Sequence, residues 1–367
     1  MHSERSDNVI ADLHMTSMGR PELSSKNAYP QAISSNPFAK RPAALMDLHP
    51  PSLNEIHSAR QKLMGTVVRT PLVQVEDRPG IYLKLENLQP TGSFKVRGAG
   101  NALLSAKPAQ LMHGVWTVSA GNMGQALAWY AQKLGVDCTV IVPDDAPQVK
   151  VNAIAQFGAR IIKLPFAEYQ AIQRVGTHPG MKGLLIHPFA DQAVMAGNGT
   201  IGLEILEDLP EVQTILVPYG GGGLSCGIAA AVAAYQQVSR PTHSHPIRVE
   251  AVEAATATPL TSSLAAGKSV NVSYQASFIS GMGAPFVFPQ MWPLARQLLN
   301  GSRVVELEQV AKAIKLLGER QHIIAEGAGA IALAAALEKP ETNTVCVVSG
   351  GNINRDHLVK IIIGEFS

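Results

Sequence analysis

The chain has 367 residues, 46% of them hydrophobic and 16% charged, and its net charge is +2. This length suits about two domains of roughly 150 residues each. A near-neutral chain without basic or acidic blocks is not expected to bind nucleic acid or a membrane surface, and no hydrophobic run is long enough to predict a membrane span. The widely separated Cys138, Cys226 and Cys346 predict reduced thiols in a cytoplasmic protein, not a disulfide framework or a zinc site.

Residues 1–45 differ in composition from the rest of the chain. They are rich in Ser, Asn, Pro and Met and show no apolar periodicity. We therefore expect a flexible N-terminal tail, with folded protein from Met46 onward. The segment Ser52-Leu53-Asn54-Glu55 is a capping box and predicts the start of the first helix.

Strands and helices alternate along the remainder of the chain. Apolar runs predict strands at 115–118, 138–142, 160–164, 214–217, 248–252 and 344–348. Helices are predicted at 124–134, 149–157, 199–207, 224–235, 307–320 and 328–337. This rhythm predicts an α/β fold in which helices cover parallel sheets on both faces. Ligands in such folds bind at the carboxyl ends of the strands, and all the candidate motifs fall there.

The most informative segment is Pro90-Thr91-Gly92-Ser93-Phe94-Lys95. It joins a strand-like run, residues 81–86, to a helix-like run, residues 99–104. The helix N-terminus carries a partial positive charge, which together with apolar neighbours disfavours the protonated form of a lysine amine. This placement predicts a nucleophilic or Schiff-base lysine at Lys95. An arbitrary lysine is more often an ordinary solvated side chain, but three further segments favour the chemical interpretation.

Two later junctions between a strand and a helix are typical of anion sites. Ser119-Ala120-Gly121-Asn122-Met123 has small residues and free N–H groups, which suit a carboxylate. By itself this segment is also typical of an ordinary turn. The four glycines Gly220, Gly221, Gly222 and Gly223 predict a phosphate cradle, because a structural turn rarely needs so many. They match neither GxGxxG nor a Walker loop, which favours a single phosphate monoester.

The last predicted strand ends at Ser349-Gly350-Gly351-Asn352. Ser349 places a neutral hydroxyl at the strand tip beside two glycines. Alone, this arrangement is equally typical of a serine that caps a turn.

In this order, the four segments resemble those of the fold-type II pyridoxal-phosphate enzymes, and most closely the serine/threonine dehydratases and serine racemases. The resemblance runs from Arg69 to Asn352 and includes 84–87, 93–99, 187–189, 197–200 and 326–329. It implies a fold like that of the tryptophan synthase β-subunit, with two parallel-sheet domains and the cofactor between them. It also implies a homodimer.

The resemblance assigns a role to each motif. Lys95 carries pyridoxal 5'-phosphate as a Schiff base, and Phe94 packs beside the cofactor. Asn122 hydrogen-bonds the 3-oxygen of the ring, the four glycines hold the phosphate, and Ser349 meets the ring nitrogen. The substrate is bound by Ser93, Ser119, Ala120, Asn122 and Met123, with Thr91 as an alternative to Ser93 for the carboxylate.

These roles are chemically consistent with an elimination reaction. A serine hydroxyl does not enforce a protonated pyridine, so the ring is a weak electron sink and loss of a β-substituent competes well with transamination. Lys95, released when substrate binds, is the natural base for the Cα proton. We therefore expect dehydration and deamination of an L-β-hydroxy amino acid, threonine, serine or a bulkier phenylserine-like substrate, to a 2-keto acid and ammonia.

The chain departs from the pattern of these relatives at several positions. Ala120 replaces the serine that the racemases use as a second base, so racemisation is disfavoured. Met123 replaces a usual histidine; it either enlarges the side-chain pocket or packs internally. Glu253 lies where some relatives bind a divalent cation, but Pro259 replaces a second acidic residue, and we predict no metal. Glu326 either approaches the cofactor or caps a helix.

We expect a flexible tail over residues 1–45, a large domain formed by 46–111 and 192–367, and a small domain formed by 112–191. Two other functions remain open. A racemase or β-replacement enzyme would share the same cofactor site. A non-catalytic sensor of a phosphorylated metabolite would use the glycine loops without chemistry at Lys95.

Overall fold

The computed structural model describes residues 48–238 and 246–365. The predicted N-terminal tail lies outside these ranges. Within them, the strands are β1 Leu72–Gln74, β2 Ile81–Lys84, β3 Val115–Val118, β4 Cys138–Pro143, β5 Arg160–Leu164, β6 Leu184–Leu185, β7 Thr214–Pro218, β8 Arg248–Ala254, β9 Ser302–Val305 and β10 Thr344–Val347.

The helices in the same ranges are α1 Leu53–Leu63, α2 Lys95–Ser105, α3 Pro108–Leu111, α4 Asn122–Leu134, α5 Gln148–Ala155, α6 Phe166–Val175, α7 Gln192–Asp208, α8 Gly223–Val238, α9 Pro259–Ala266, α10 Trp292–Leu298, α11 Leu307–Arg320, α12 Gly327–Glu338 and α13 Arg355–Ile363. None of these helices combines the length and hydropathy needed to cross a membrane. The capping box predicted at Ser52 is present, because its hydroxyl and the Glu55 carboxylate each accept the other residue's backbone N–H.

The strands form two sheets. The larger sheet has the order β1-β2-β10-β7-β8-β9, and the smaller has the order β5-β4-β3-β6. All neighbouring strands are parallel except β1 and β2, which pair antiparallel at one edge. The predicted α/β class with parallel sheets is confirmed, and β6 and β9 are short strands that the sequence pattern did not predict.

Alternation along the buried strands places helices on both faces of the larger sheet. In β10, Val345 and Val347 belong to a core that includes α7 and α8. Cys346 belongs to the opposite core, which is built largely from α11 and α12. Successive side chains of a strand point to opposite faces, so a strand that is apolar throughout requires cover on both sides. The helices provide that cover.

The smaller sheet is also covered on two faces. One core joins β3 and β4 to α2, α4 and α5, and a second packs Trp116, Val118 and Ile141 against Ile172 of α6. The four strands of this sheet fall within residues 115–185. The domain boundaries at 112 and 191 stay a prediction.

Helix starts show where packing overrides local preference. Helix α7 begins at Gln192, seven residues before the predicted start, and Asp191 caps it by accepting the Val194 N–H. The glycines of this helix allow close packing, because a Cβ at Gly199 would lie 2.9 Å from the Gly227 carbonyl oxygen. Similarly, α2 begins at Lys95 and not at residue 99.

Candidate active site

The carboxyl ends of β2 and β10 are joined by backbone hydrogen bonds. Phe94 N–H donates to the Ser349 carbonyl at 3.0 Å, and Gly351 N–H donates to the Gly92 carbonyl at 2.9 Å. Between them, Ser93 and Gly350 form an isolated antiparallel bridge. Gly92 has a φ of +71°, in the left-handed region that favours glycine. These bonds place the Lys95 turn and the Ser349 strand tip side by side, as expected for two motifs that were predicted to bind the same cofactor.

Lys95 is the first residue of α2, and its ammonium donates to the Pro188 carbonyl at 2.7 Å. The Nζ atom also lies 5.0 Å from the centre of the Phe94 ring. Burial lowers the pKa of Lys95 to about 8, although the charge of Glu326 opposes this shift. A lysine with such a pKa is partly unprotonated near neutral pH, which is the state that nucleophilic and basic chemistry requires.

The turn that receives Lys95 is held by a buried histidine. His187 Nδ1 accepts the Ala190 N–H at 3.0 Å, so the ring proton resides on Nε2, which lies 2.9 Å from the Gln173 carbonyl oxygen. Burial lowers the pKa of His187 to about 4. The imidazole is therefore neutral at physiological pH, and its two hydrogen bonds hold the backbone on either side of Pro188 in place.

The four-glycine loop lies against Phe189. A Cβ at Gly221 would overlap the Phe189 ring, and one at Gly223 would lie 2.7 Å from its backbone. Gly222 has a φ of +89°, which disfavours any side chain. Gly223 then begins α8, so the loop precedes a helix N-terminus with free N–H groups. The sequence predicted an anion cradle here, and the packing explains why glycines occupy it.

Asn122 is the first residue of α4, and its carboxamide is engaged at both ends. Its Nδ2 donates to Glu326 Oε1 at 2.6 Å, and its Oδ1 accepts from Asn352 Nδ2 at 2.8 Å. Asn352 also donates to the Thr91 carbonyl at 2.9 Å. The amide therefore links the Asn loop to the Lys95 turn and to the N-terminus of α12, and within the described residues its second N–H hydrogen has no acceptor.

Several hydroxyl groups line the same region. Ser349 is buried and its Oγ donates to the Ala328 carbonyl at 3.2 Å, so its lone pairs remain available. In the part of the chain that the structure describes, the buried hydroxyls of Thr91 and Ser93 have no hydrogen-bonding partner. Buried polar groups are usually paired. Two unpaired donors beside the Asn loop suit an anionic ligand such as a carboxylate.

The remaining residues predicted to bind substrate differ in exposure. Ser119 Oγ accepts the Gly121 N–H at 3.4 Å, and Ala120 is partly buried. Met123 is only 1% exposed and packs in the core between the small sheet and its helices. Of the two interpretations offered for Met123, this burial favours internal packing. Its role in substrate binding stays a prediction.

A buried ion cluster supports α2 from behind. Arg97 Nε donates to Glu86 at 2.8 Å, and its Nη1 donates to Glu204 at 2.7 Å. Lys84, which is fully buried, pairs with Glu204 at 2.7 Å and donates to the Thr70 carbonyl at 2.6 Å. Paired and hydrogen-bonded in this way, the charges are tolerable in the interior. The cluster fixes α2, and hence Lys95, to β2 and α7.

Glu253 is satisfied by the protein itself. Its carboxylate accepts the backbone N–H groups of Leu260 and Thr261, both at 2.8 Å, and the hydroxyls of Thr261 and Ser302. The two N–H groups belong to the first turn of α9, where a carboxylate is stabilising. This residue therefore has a structural task at the start of α9, and the prediction that no metal binds here stays a prediction.

Some neighbours of the site were not predicted from the sequence. These are the Pro188 carbonyl, the Phe189 ring and the Asn352 amide. Pro188 and Phe189 lie in the segment 187–189, which is part of the family resemblance, and Asn352 is the last residue of that resemblance. The resemblance therefore marked these positions, although it did not give their contacts. No sequence pattern shows which backbone carbonyl a distant lysine will meet.

Comparison with known proteins identifies relatives over most of the chain. A relative in Geobacter sulfurreducens named L-threonine ammonia-lyase is 42% identical over 311 residues, covering 82% of this chain and 75% of its own. The structure of maize serine racemase aligns with a TM-score of 0.75 at 30% identity, covering 86% of this chain and 98% of that one. The processed form of threonine deaminase isoform 2 from Solanum lycopersicum aligns with a TM-score of 0.72 at 27% identity, covering 84% and 92%. Residues 63–350 match the family described as pyridoxal-phosphate dependent enzyme, and the chain belongs to that family.

Proposed function

We propose that this protein converts an L-β-hydroxy amino acid, with threonine or serine as the first candidates, to a 2-keto acid and ammonia. The observation that carries the proposal is Lys95, a partly buried amine whose pKa is lowered by burial to about 8 and which donates to the Pro188 carbonyl, beside the Phe189 ring that packs on the glycine loop. Relatives named L-threonine ammonia-lyase support this choice of reaction among those that the family performs.

The residues of the site fit pyridoxal 5'-phosphate. A Cβ at Gly221 or Gly223 would clash with Phe189, so the loop is restricted to glycine there, and the N-terminus of α8 that the loop opens suits the oxygens of a phosphate. The amine of Lys95 and the hydroxyl of Ser349 lie on segments that are bonded to each other. Lys95, Phe94, Asn122, Ser349 and the four glycines would hold the cofactor. When bound, pyridoxal phosphate supplies an electron sink for the bonds at Cα.

The protein's own groups supply binding and proton transfer. The unpaired hydroxyls of Thr91 and Ser93, with the N–H groups of the Asn loop, would receive the substrate carboxylate. Lys95 Nζ, unprotonated above its pKa of about 8, would accept the Cα proton. The Pro188 carbonyl, which accepts a hydrogen bond from Lys95, would keep the amine aimed at the site.

Racemisation is the second candidate, because maize serine racemase shares the fold closely. It requires a proton donor and acceptor on the opposite face of the substrate. Ala120 has a methyl group at the position where the racemases are expected to carry a serine, and a methyl group cannot move a proton. This residue favours elimination over racemisation.

The test is a substrate panel. Purified protein loaded with pyridoxal phosphate is assayed for keto-acid release from separate stereoisomers of serine, threonine, 3-hydroxyaspartate and phenylserine. Release from L-threonine or another L-isomer supports the proposal, and the preferred side chain identifies the natural class. If the loaded protein releases no keto acid from any isomer, the proposal is wrong, and racemase and β-replacement activities are assayed next.

We also propose a homodimer in the cytoplasm. The three cysteines are free and buried, which is consistent with a reducing compartment. Light scattering of the purified protein measures the mass; a value near 38.9 kDa would contradict the dimer. Fractionation of cells with an antibody against the chain tests the compartment.

A further inference from the structure

Glu326 occupies a helix-capping position but does not act as a cap. It directly precedes α12, and its side chain makes no hydrogen bond to the first turn of that helix. Instead, Oε1 accepts from Asn122 Nδ2 at 2.6 Å, and the residue is only 5% exposed. Of the two roles considered for Glu326, this geometry assigns the one at the active-site face.

The surroundings leave the Glu326 side chain little freedom. Its backbone N–H donates to the Gly350 carbonyl at 3.0 Å, and a Cβ at Gly350 would lie 2.5 Å from Oε1. On the other side, Asn352 Nδ2 holds Asn122 Oδ1 at 2.8 Å. The carboxamide of Asn122 is thus oriented from both ends, with Glu326 as the acceptor that faces its NH₂ group.

The charged groups that face Glu326 come from two other helices. They are Lys95 on α2 and the partly buried Lys150 on α5, and both lower the pKa of the carboxyl. Burial has the larger, opposite effect and raises this pKa to about 7, although the hydrogen bond from Asn122 also lowers it. Glu326 therefore changes charge within the physiological range, while the hydrogen bond to Asn122 persists in a weaker, neutral form.

We propose that Glu326 is the positioning residue for Asn122, and that its ionised form holds the carboxamide so that the free N–H points to the cofactor oxygen. The proposal rests on the cofactor-binding role proposed for Asn122. A hydrogen bond to a carboxylate is about twice as strong as one to a neutral group. Orientation of Asn122 therefore tightens as pH rises through the titration of Glu326 and loosens as pH falls.

The experiment is a pH titration, from 5.5 to 9, of the visible absorbance of the cofactor-loaded protein without substrate. This band responds to hydrogen bonding at the cofactor oxygen. The wild type is expected to show a transition near pH 7, and Glu326→Gln, which keeps an acceptor but cannot ionise, is expected to lose it. The rate of cofactor release at pH 8 should rise about tenfold in the variant and change little at pH 6.

Lys150→Met is an independent test that leaves Glu326 in place. Removal of this positive charge makes ionisation of Glu326 less favourable, so the midpoint is expected to move to higher pH. Glu308→Gln, an exposed carboxylate on α11, is the matched control and should leave the midpoint unchanged. An unchanged midpoint in either Glu326→Gln or Lys150→Met overturns the proposal. If Glu326→Gln fails to load cofactor, Lys150→Met decides alone.

Neither readout involves substrate turnover. A protein that proves inactive on threonine still reports on Glu326. Conversely, a wild-type absorbance that does not change between pH 5.5 and 9 overturns the proposal for Glu326. The proposed reaction is then still judged by keto-acid release.

Discussion

At Lys95, burial and charge act in opposite directions on one amine. Burial lowers its pKa and the nearby Glu326 raises it, with a result of about 8. At Glu326, burial raises the pKa, whereas the hydrogen bond from Asn122 and the charges of Lys150 and Lys95 lower it, with a result of about 7. Both groups therefore change their protonation state near neutral pH, as groups at functional sites often do.

Replacement of Lys95 by alanine tests the chemistry at this residue. Because no other side chain among the described residues takes its place at Pro188, we expect Lys95→Ala to lower keto-acid release by about a thousandfold or more. The exposed Lys268→Ala is the control and should retain wild-type turnover. Wild-type turnover by Lys95→Ala would show that the mechanism is wrong.

Ala120 tests the boundary between elimination and racemisation. Ala120→Ser places a hydroxyl in the Asn loop, where the racemases are expected to carry their second base. We expect D-isomer to appear from the L-substrate in the variant and not in the wild type, measured by chiral chromatography. Abundant D-isomer from the wild type would show that a group other than residue 120 supplies the second proton.

At the scale of an element, the four-glycine loop packs closely against the turn that contains Phe189, here called the Phe189 turn. Helix α8 starts at Gly223, directly beneath the Phe189 backbone. The chain can bring a helix N-terminus this close to the turn only because the loop residues lack a Cβ. A substitution in the loop is therefore expected to disturb the turn as well.

Gly221→Ala tests this fit. Its Cβ would overlap the Phe189 ring, so we expect cofactor binding to weaken by about tenfold or more, measured by equilibrium dialysis. Gly318→Ala, within α11, is the control, because its Cβ would meet only a flexible isoleucine methyl group at 3.2 Å and alanine favours a helix. The double variant Gly221→Ala/Phe189→Leu is expected to recover part of the loss; if the single variant binds normally, the steric argument fails.

The ion cluster behind α2 is a second feature at this scale. Arg97→Met would leave Glu86 buried and without its main partner, so we expect the free energy of unfolding to fall by about 3–5 kcal/mol in urea titrations. The exposed Arg355→Met should change it by less than about 0.5 kcal/mol. A small effect at Arg97 would mean that Glu86 is protonated or solvated when its partner is removed.

At the scale of the whole molecule, the site depends on segments from both sheets. The Asn loop follows β3 of the smaller sheet, whereas the glycine loop and Ser349 follow β7 and β10 of the larger. His187 lies between them in the chain and holds the turn that meets Lys95. Because that support requires a neutral imidazole, global stability and the integrity of the site share a pH dependence.

This dependence has a defined sign. The pKa of His187 falls from 6.5 to about 4 on folding, so the unfolded chain binds more protons in this window. Stability is expected to decrease as pH falls from 6.5 to 4, by about 3 kcal/mol from this group. His187→Gln should show a smaller drop in thermal unfolding temperature between pH 7.5 and 4.5, and the exposed His57→Gln should behave like the wild type. Identical drops in all three proteins would exclude His187 as a source.

The sequence by itself determined the α/β class, the alternation of strands and helices, and the identity of the four motifs. These features depend on local periodicity and on residue types that are rare outside such sites, as in the run of four glycines. Helix α11, with its regular apolar spacing, was predicted with the bounds that the structure has. The roles predicted for the site residues stay predictions that the geometry supports.

Only the tertiary structure decided which distant groups meet. The contact of Lys95 with Pro188, the bond between Asn122 and Glu326, and the burial of Met123 all join residues remote in sequence or depend on such neighbours. The pKa values of Lys95, His187 and Glu326 are likewise set by burial and by charges on other elements. Burial and cross-element contact are properties of the packed molecule, which no window of sequence contains.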